Sequence, residues 1–131
     1  VARGTAAATG VDRQVSIIAD AFPDHRHAHA LLSTTLAAKT STGASICGSQ
    51  ARIELPGDFY NPQPVTLIGR DGVRLASEAP TIPAHQGLCY EAAHFAQLLT
   101  DGRLESPLLP LDETIAVMDA VDEIRAQAFP G

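Results

Sequence analysis

The last third of the chain, Gly87 to Phe129, constrains the fold most. It reads Gly87-Leu88-Cys89-Tyr90-Glu91-Ala92-Ala93-His94-Phe95, runs on to Asp101-Gly102, and resumes at Leu111-Asp112-Glu113-Thr114. Leu88, Ala92, Phe95, Ala96 and Leu99 recur at helical spacing, so the first run predicts an amphipathic helix. Gly102 can take the left-handed conformation that stops it. Pro107 and Pro110 keep the connector extended, because a residue before proline is pushed out of the α region. Asp112 is positioned to cap a second helix with the stripe Val117, Val121, Ile124 and Ala128, flanked by Ile115 and Met118. Asp112 and Glu113 at its start and Arg125 near its end suit the helix dipole. Two such apolar stripes need a surface to lie on.

The preceding residues predict that surface to be a sheet. Ala2 to Thr9 and Gln14 to Ala21 read as strands, the second with Val15, Ile17 and Ala19 on one side. His27 to Lys39 is the longest candidate strand. Ala28, Ala30, Leu32, Thr34 and Leu36 face one way, and His27, His29, Leu31, Ser33 and Thr35 the other. Ala44 to Cys47 and Ala51 to Leu55 predict a hairpin around Gly48-Ser49-Gln50. Val65 to Ile68 and Val73 to Ser77 predict another about the Asp71-Gly72 turn. Ala79 to Gln86 reads as a proline-bearing loop. Strands first and helices last, joined by short turns, predict an α+β domain over residues 1–131. Its expected architecture is an open, mostly antiparallel sheet with helices on one face.

Charge narrows the partners. The net charge is −6, and the nine Lys and Arg residues are scattered, which argues against nucleic acid or an anionic membrane. No apolar run reaches the length of a membrane span, and the sequence from Val1 does not read as a basic-then-apolar leader. Cys47 and Cys89 lack metal-ligand spacing and are expected as small buried hydrophobes in a reducing cytoplasm.

Three features could carry chemistry. His25, His27 and His29 place three imidazoles on one side of an extended segment, but no carboxylate follows from Leu31 to Leu36. A histidine-rich strand edge therefore outweighs a metal site, and no metal is expected. Glu91 and His94 sit one helical turn apart, the spacing of an acid–base couple and equally of an ordinary surface pair. Asp58-Phe59-Tyr60-Asn61-Pro62 puts two of the six aromatics in a proline-bounded loop, either as a binding wall or as core anchors. No nucleophile elbow, glycine-rich phosphate loop, HExxH or CxxC occurs. The residues alone thus predict an acidic α+β domain without a self-contained active site.

The terminal motif says more. Gly87-Leu88-Cys89-Tyr90-Glu91-Ala92-Ala93-His94-Phe95, Gly102-Arg103-Leu104-Glu105-Ser106-Pro107, Leu111-Asp112-Glu113-Thr114 and Glu123-Ile124-Arg125 resemble the carboxyl end of the glucose–fructose oxidoreductase/inositol dehydrogenase (Gfo/Idh/MocA) family. The nearest branch is that of dihydrodiol and D-xylose dehydrogenases. Ala28-His29-Ala30-Leu31-Leu32-Ser33-Thr34-Thr35 and Phe59-Tyr60-Asn61-Pro62 extend the likeness over nearly the whole chain. The resemblance implies a carboxyl-terminal domain that shapes the substrate pocket and makes the oligomer contact. The parent would be an NAD(P)-dependent dehydrogenase acting on a sugar, polyol or cyclic diol.

The family's amino-terminal Rossmann domain, its GxGxxG, its Glu-Lys-Pro and its Asp…His helix have no counterpart in this sequence. No cofactor site and no catalytic residue is therefore carried over, and the chain alone is expected to be inactive. Tyr60, with Phe59, falls where the dihydrodiol branch has a pocket aromatic, and Ile82 falls near a second pocket position. Relatives often carry tryptophan in that loop, a departure here. The resemblance also implies a homodimer or dimer of dimers through the sheet face bearing His29, Leu31, Ser33 and Thr35. The alternative from another class is a free-standing, non-catalytic β-sheet dimerisation module.

Overall fold

A computed structural model describes residues 1–20, 27–82 and 84–130. The architecture is α+β, with two antiparallel sheets and two helices. The chain divides into two compact units, residues 1–40 with 105–131 and residues 41–104. The single wide sheet expected from the sequence is thus two sheets. β1, β2 and β3 form one in that order, and β4 to β7 form the other. The connection between them reads Leu36-Ala37-Ala38-Lys39-Thr40-Ser41-Thr42-Gly43, polar and turn-prone at its centre, and does not extend either ladder.

In the first unit, β1 (Ala2–Ala6) pairs with β2 (Asp12–Ala19), which pairs with β3 (Ala30–Thr35). Ala2 opposes Ile17, Gly4 opposes Val15, and Val15 and Ile17 oppose Thr34 and Leu32. Period-two alternation therefore puts these residues on one face, as the sequence predicts for Val15, Ile17, Leu32 and Thr34. Helix α2 (Leu111–Ala128) covers part of that face. Ala2, Val15 and Ala128 are buried there, with Ile17, Ile124 and Phe129 packed around them. The Ala2 N–H donates to Gln127 Oε1 at 3.1 Å, tying the end of α2 to the edge strand.

β3 is shorter than its alternation suggests. His27 and His29 precede it, and His25 lies outside the described residues. Asp112 does not cap α2. Pro110 is the cap residue, and the Glu105 carboxylate accepts the Leu111 N–H at 2.9 Å from outside the helix. Asp112 and Glu113 lie in the first turn, where they still complement the dipole.

In the second unit, β4 (Ala44–Cys47), β5 (Ala51–Leu55), β6 (Val65–Gly69) and β7 (Arg74–Glu78) form a meander. Gly72, at φ +84°, makes the expected hairpin corner, and Asp71 Oδ1 accepts the Val73 N–H. Ala44, Ile46, Ile53, Leu55, Leu67 and Ala76 share one face by register, and Ser45, Cys47, Arg52, Glu54, Thr66 and Ser77 share the other. A 3-10 turn, Ala84–Gly87, leads into α1 (Leu88–Thr100). Gly102 ends that helix at φ +64°, as anticipated.

Two expectations fail here for one physical reason. Helix α1 has no buried residue, and Leu88, Phe95 and Leu99 on its stripe are 61–67% exposed. Cys47 and Cys89 are also exposed, not buried. Cys47 ends the edge strand β4, and Cys89 lies on the uncovered α1. Apolar patterning marks what a residue is suited to pack against, but the burial itself needs a neighbour.

Candidate functional site

The aromatic loop is the most constructed feature of the second unit. Pro56-Gly57-Asp58 ends β5, and the chain reverses in a β-turn closed by the Asn61 N–H donating to the Asp58 carbonyl at 2.9 Å. Phe59 and Tyr60 occupy the two corner positions of that turn. Their ring centroids lie 6.1 Å apart at 69°, the edge-to-face arrangement that the ring quadrupoles favour. Phe59 is 46% exposed and Tyr60 69%, so neither anchors a core. The Tyr60 hydroxyl donates to Asp58 Oδ1 at 3.3 Å. The Phe59 N–H donates to the Thr42 carbonyl at 3.2 Å, tying the turn to the segment before β4.

Pro62 fixes the other end of the loop. A Cβ on Gly87 would lie 2.3 Å from Pro62 Cγ, so the loop sits directly against the start of α1. Only glycine allows that approach. Ile82 is half-buried two residues before the 3-10 turn that ends in Gly87. The structure therefore sets Phe59, Tyr60 and Pro62 in one rigid corner beside the α1 entry.

Glu91 and His94 lie on α1, Glu91 exposed and His94 half-buried. Among the described residues no group of three His, Cys, Asp or Glu side chains converges.

The polar face of the second sheet holds its own network. Glu54 accepts from the Ser45 hydroxyl and from Arg52 Nε, each at 2.6 Å. The Ser45 hydrogen bond and, after it, the Arg52 one hold the Glu54 carboxyl below its ordinary value. Thr66 and Ser77 pair across the next ladder at 3.3 Å. These groups satisfy one another and have the character of a solvated sheet face.

In the first unit, Leu31, Ser33 and Thr35 share the sheet face that points away from α2, opposite Ile18, Ser16 and Gln14. Leu31 is 75% exposed, Thr35 is half-buried, and Arg3 stands on the same face across from Ser16. His29 is exposed just before β3. On the opposite face a cavity of about 340 Å³ opens beside α2, lined by Val15, Ile17, Thr34, Val121, Ile124 and Phe129.

Two further residues matter to the aromatic corner: Thr42, which sequence reasoning did not single out, and Asp58, which it placed in the loop without a role of its own. Thr42 (φ +49°) and Asp58 (φ +61°) are the non-glycine residues with left-handed backbone among those described. Asp58 sits in a Pro-Gly-Asp turn signal that announces such a conformation. Thr42 lies in the turn-prone run Ser41-Thr42-Gly43, but its left-handed backbone was not announced, because a β-branched side chain is disfavoured there.

No family model matches the chain. It is similar to curated dehydrogenases. It is 30% identical over 129 residues to a trans-1,2-dihydrobenzene-1,2-diol dehydrogenase of Xenopus tropicalis, an overlap of 96% of this chain and 38% of that protein. The Xenopus laevis protein of the same name is 32% identical over the same shares. A D-xylose 1-dehydrogenase (NADP(+)) of Hypocrea jecorina is 30% identical over 131 residues, covering 91% of this chain and 33% of that protein. The chain thus spans little more than a third of the length of these oxidoreductases.

Proposed function

We propose that this chain is the substrate-side, carboxyl-terminal domain of a Gfo/Idh/MocA-type NAD(P)-dependent dehydrogenase of the dihydrodiol and D-xylose branch. The observation that carries the reading is the pairing of nearly complete coverage here with about a third of each relative. The Gly87 motif and the aromatic loop fall within that overlap. In this reading Phe59, Tyr60 and Ile82 contribute to the wall of a pocket for a sugar, polyol or cyclic diol. The exposure of Phe59 and Tyr60 agrees with a surface that meets substrate, and Gly87 with Pro62 holds the loop still.

The residues present do not fit a dinucleotide. Both sheets are antiparallel, and the stretch between β7 and α1 carries Pro80 and Pro83 where a pyrophosphate site requires a glycine-rich turn after a parallel strand. The nicotinamide, which supplies hydride transfer, is therefore assigned to the remainder of the parent polypeptide. This chain's own contribution is binding and orientation. Association of two copies through the sheet face bearing His29, Leu31, Ser33 and Thr35 completes the proposal.

The test assays oxidation of trans-1,2-dihydrobenzene-1,2-diol and of D-xylose with NADP and NAD. The full-length polypeptide and this chain alone are compared. The expected outcome is turnover of one or both substrates by the full-length protein, and none by the chain. Titration calorimetry is expected to show no cofactor binding to the chain. Micromolar binding of NAD or NADP to the chain alone would overturn the placement of the cofactor. A full-length protein inactive on both substrates would overturn the dehydrogenase reading, and an open reading frame that starts at this chain would favour the free-standing dimerisation module.

A further inference from the structure

The aromatic corner is aimed by left-handed backbone at two residues, one of which, the β-branched Thr42, disfavours it strongly. Left-handed φ costs a non-glycine residue free energy, most of all a β-branched one, and persists only where the surroundings over-determine it. Here two such residues flank one backbone hydrogen bond. Thr42 at φ +49° presents its carbonyl to the Phe59 N–H, and Asp58 at φ +61° begins the turn that carries Phe59 and Tyr60. The approach between the two segments is tight. A Cβ on Gly57 would lie 2.8 Å from the Ser41 carbonyl oxygen, and one on Gly43 3.2 Å from that of Leu55. Neither strand end can shift to relieve Thr42 or Asp58 without opening this contact. The Asp58 carboxylate adds a second tie, to the Tyr60 hydroxyl at 3.3 Å. Strain concentrated at one corner, with two exposed aromatics at its apex, is the arrangement of a preorganised binding wall.

We propose that Thr42 and Asp58 are positioning residues whose left-handed backbone fixes the Phe59–Tyr60 pair as a rigid wall for a hydroxyl-bearing ring. The proposal rests on the reading that this pair faces substrate. A ring has an apolar face for the aromatic edge and face, and hydroxyls at its rim for polar neighbours such as the tyrosine hydroxyl. Fixing the pair before binding removes the ordering cost that a mobile loop would incur.

The test measures KM and kcat of the full-length enzyme for the diol and for D-xylose across a series at one position. Asn and Gly accept positive φ, Ala accepts it poorly and Val hardly at all. Asn also keeps an acceptor for the Tyr60 hydroxyl. KM is expected to rise in the order Asp58→Asn, Asp58→Gly, Asp58→Ala, Asp58→Val. Asp58→Val should raise it about tenfold while kcat changes by no more than about threefold, because a wall binds ground and transition states alike. Far-ultraviolet circular dichroism checks that each variant folds. Should Asp58→Val not fold, the comparison of Ala with Gly decides. A higher KM for Ala supports the assignment, and equal values overturn it. Equal KM values for Asn and Val overturn it too. Tyr60→Ala separates the two levels. If it leaves KM unchanged, the pocket reading itself fails. If it raises KM while Asp58→Val does not, only the positioning role fails.

Discussion

Gly87 shows how one absent methyl can join two distant pieces of chain. A Cβ there would meet Pro62 Cγ at 2.3 Å and Cδ at 3.0 Å, and a proline ring fused to its backbone cannot swing aside. Gly4 offers a contrast. Its Cβ would lie 2.6 Å from Phe129 Cζ, the far end of a side chain that can rotate. Gly87→Ala is therefore expected to destabilise by about 1–3 kcal/mol through forced displacement of the loop, despite alanine's better helix propensity. Gly4→Ala should cost less. Urea unfolding midpoints of the two variants check the order, and a Gly87→Ala variant as stable as the parent would contradict it. Gly87 could be picked out in the sequence as the head of a motif, but its partner could not. Residues 62 and 87 are far apart in the chain, and no periodicity links them. The same holds for Glu105 satisfying the Leu111 N–H in place of Asp112. Both residues can accept, and geometry chose the one outside the helix.

At the scale of elements, strands with internal alternation and marked turns could be read well, and their burial could not. β4 and β5 begin and end where the Gly48 and Pro56 turn signals put them. The Asp71-Gly72 corner forms as read, because only a residue tolerant of positive φ fits there. The strand proposed from His27 starts instead at Ala30, since pairing with β2 reaches only to Ala19. Helix α1 formed on a true amphipathic stripe and yet packs on little beyond the 3-10 turn before it. Its 13 residues are close to the length at which an isolated helix is marginal in water. Amide hydrogen exchange should therefore show α1 opening more readily than any central strand, with β2 and β5 the slowest to exchange. Protection in α1 equal to that in β5 would mean that a partner already covers its apolar stripe in solution.

The whole chain exposes 10570 Å². A compact monomer of 13.7 kDa exposes about 6,600 Å² by the usual mass scaling, and two separate globules of half that mass about 8,000 Å². The surplus therefore does not depend on how the two units are arranged. It is on the order of 2,500 Å² or more, well above the roughly 800 Å² that each partner gives to a standard interface. Leu31, Leu36, Phe95 and Leu99 are among the large apolar side chains left 61–77% exposed, so the chain is expected to associate. The β1–β3 face that carries Leu31, Ser33 and Thr35 suits a copy of itself, because Ser16, Ile18, Ser33 and Leu31 are small or apolar and can lie flat across a twofold axis. Arg3 is a charge on that face, set beyond Ser16 on the edge strand, where its guanidinium can stay solvated at a rim. Leu31 stands on β3, the other edge of this three-stranded sheet, opposite Ile18 of the central strand, and is 75% exposed. Leu31→Arg would leave an unpaired charge within such a contact at a cost of several kcal/mol, about 3 or more. Sedimentation equilibrium is expected to give a dimer or larger species for the parent chain and a shift toward monomer for Leu31→Arg. A parent that stays monomeric at high concentration, or a variant that associates unchanged, would place the contact on another surface. The apolar face of the second sheet around Ile46 and Ile53 would then be the next to substitute.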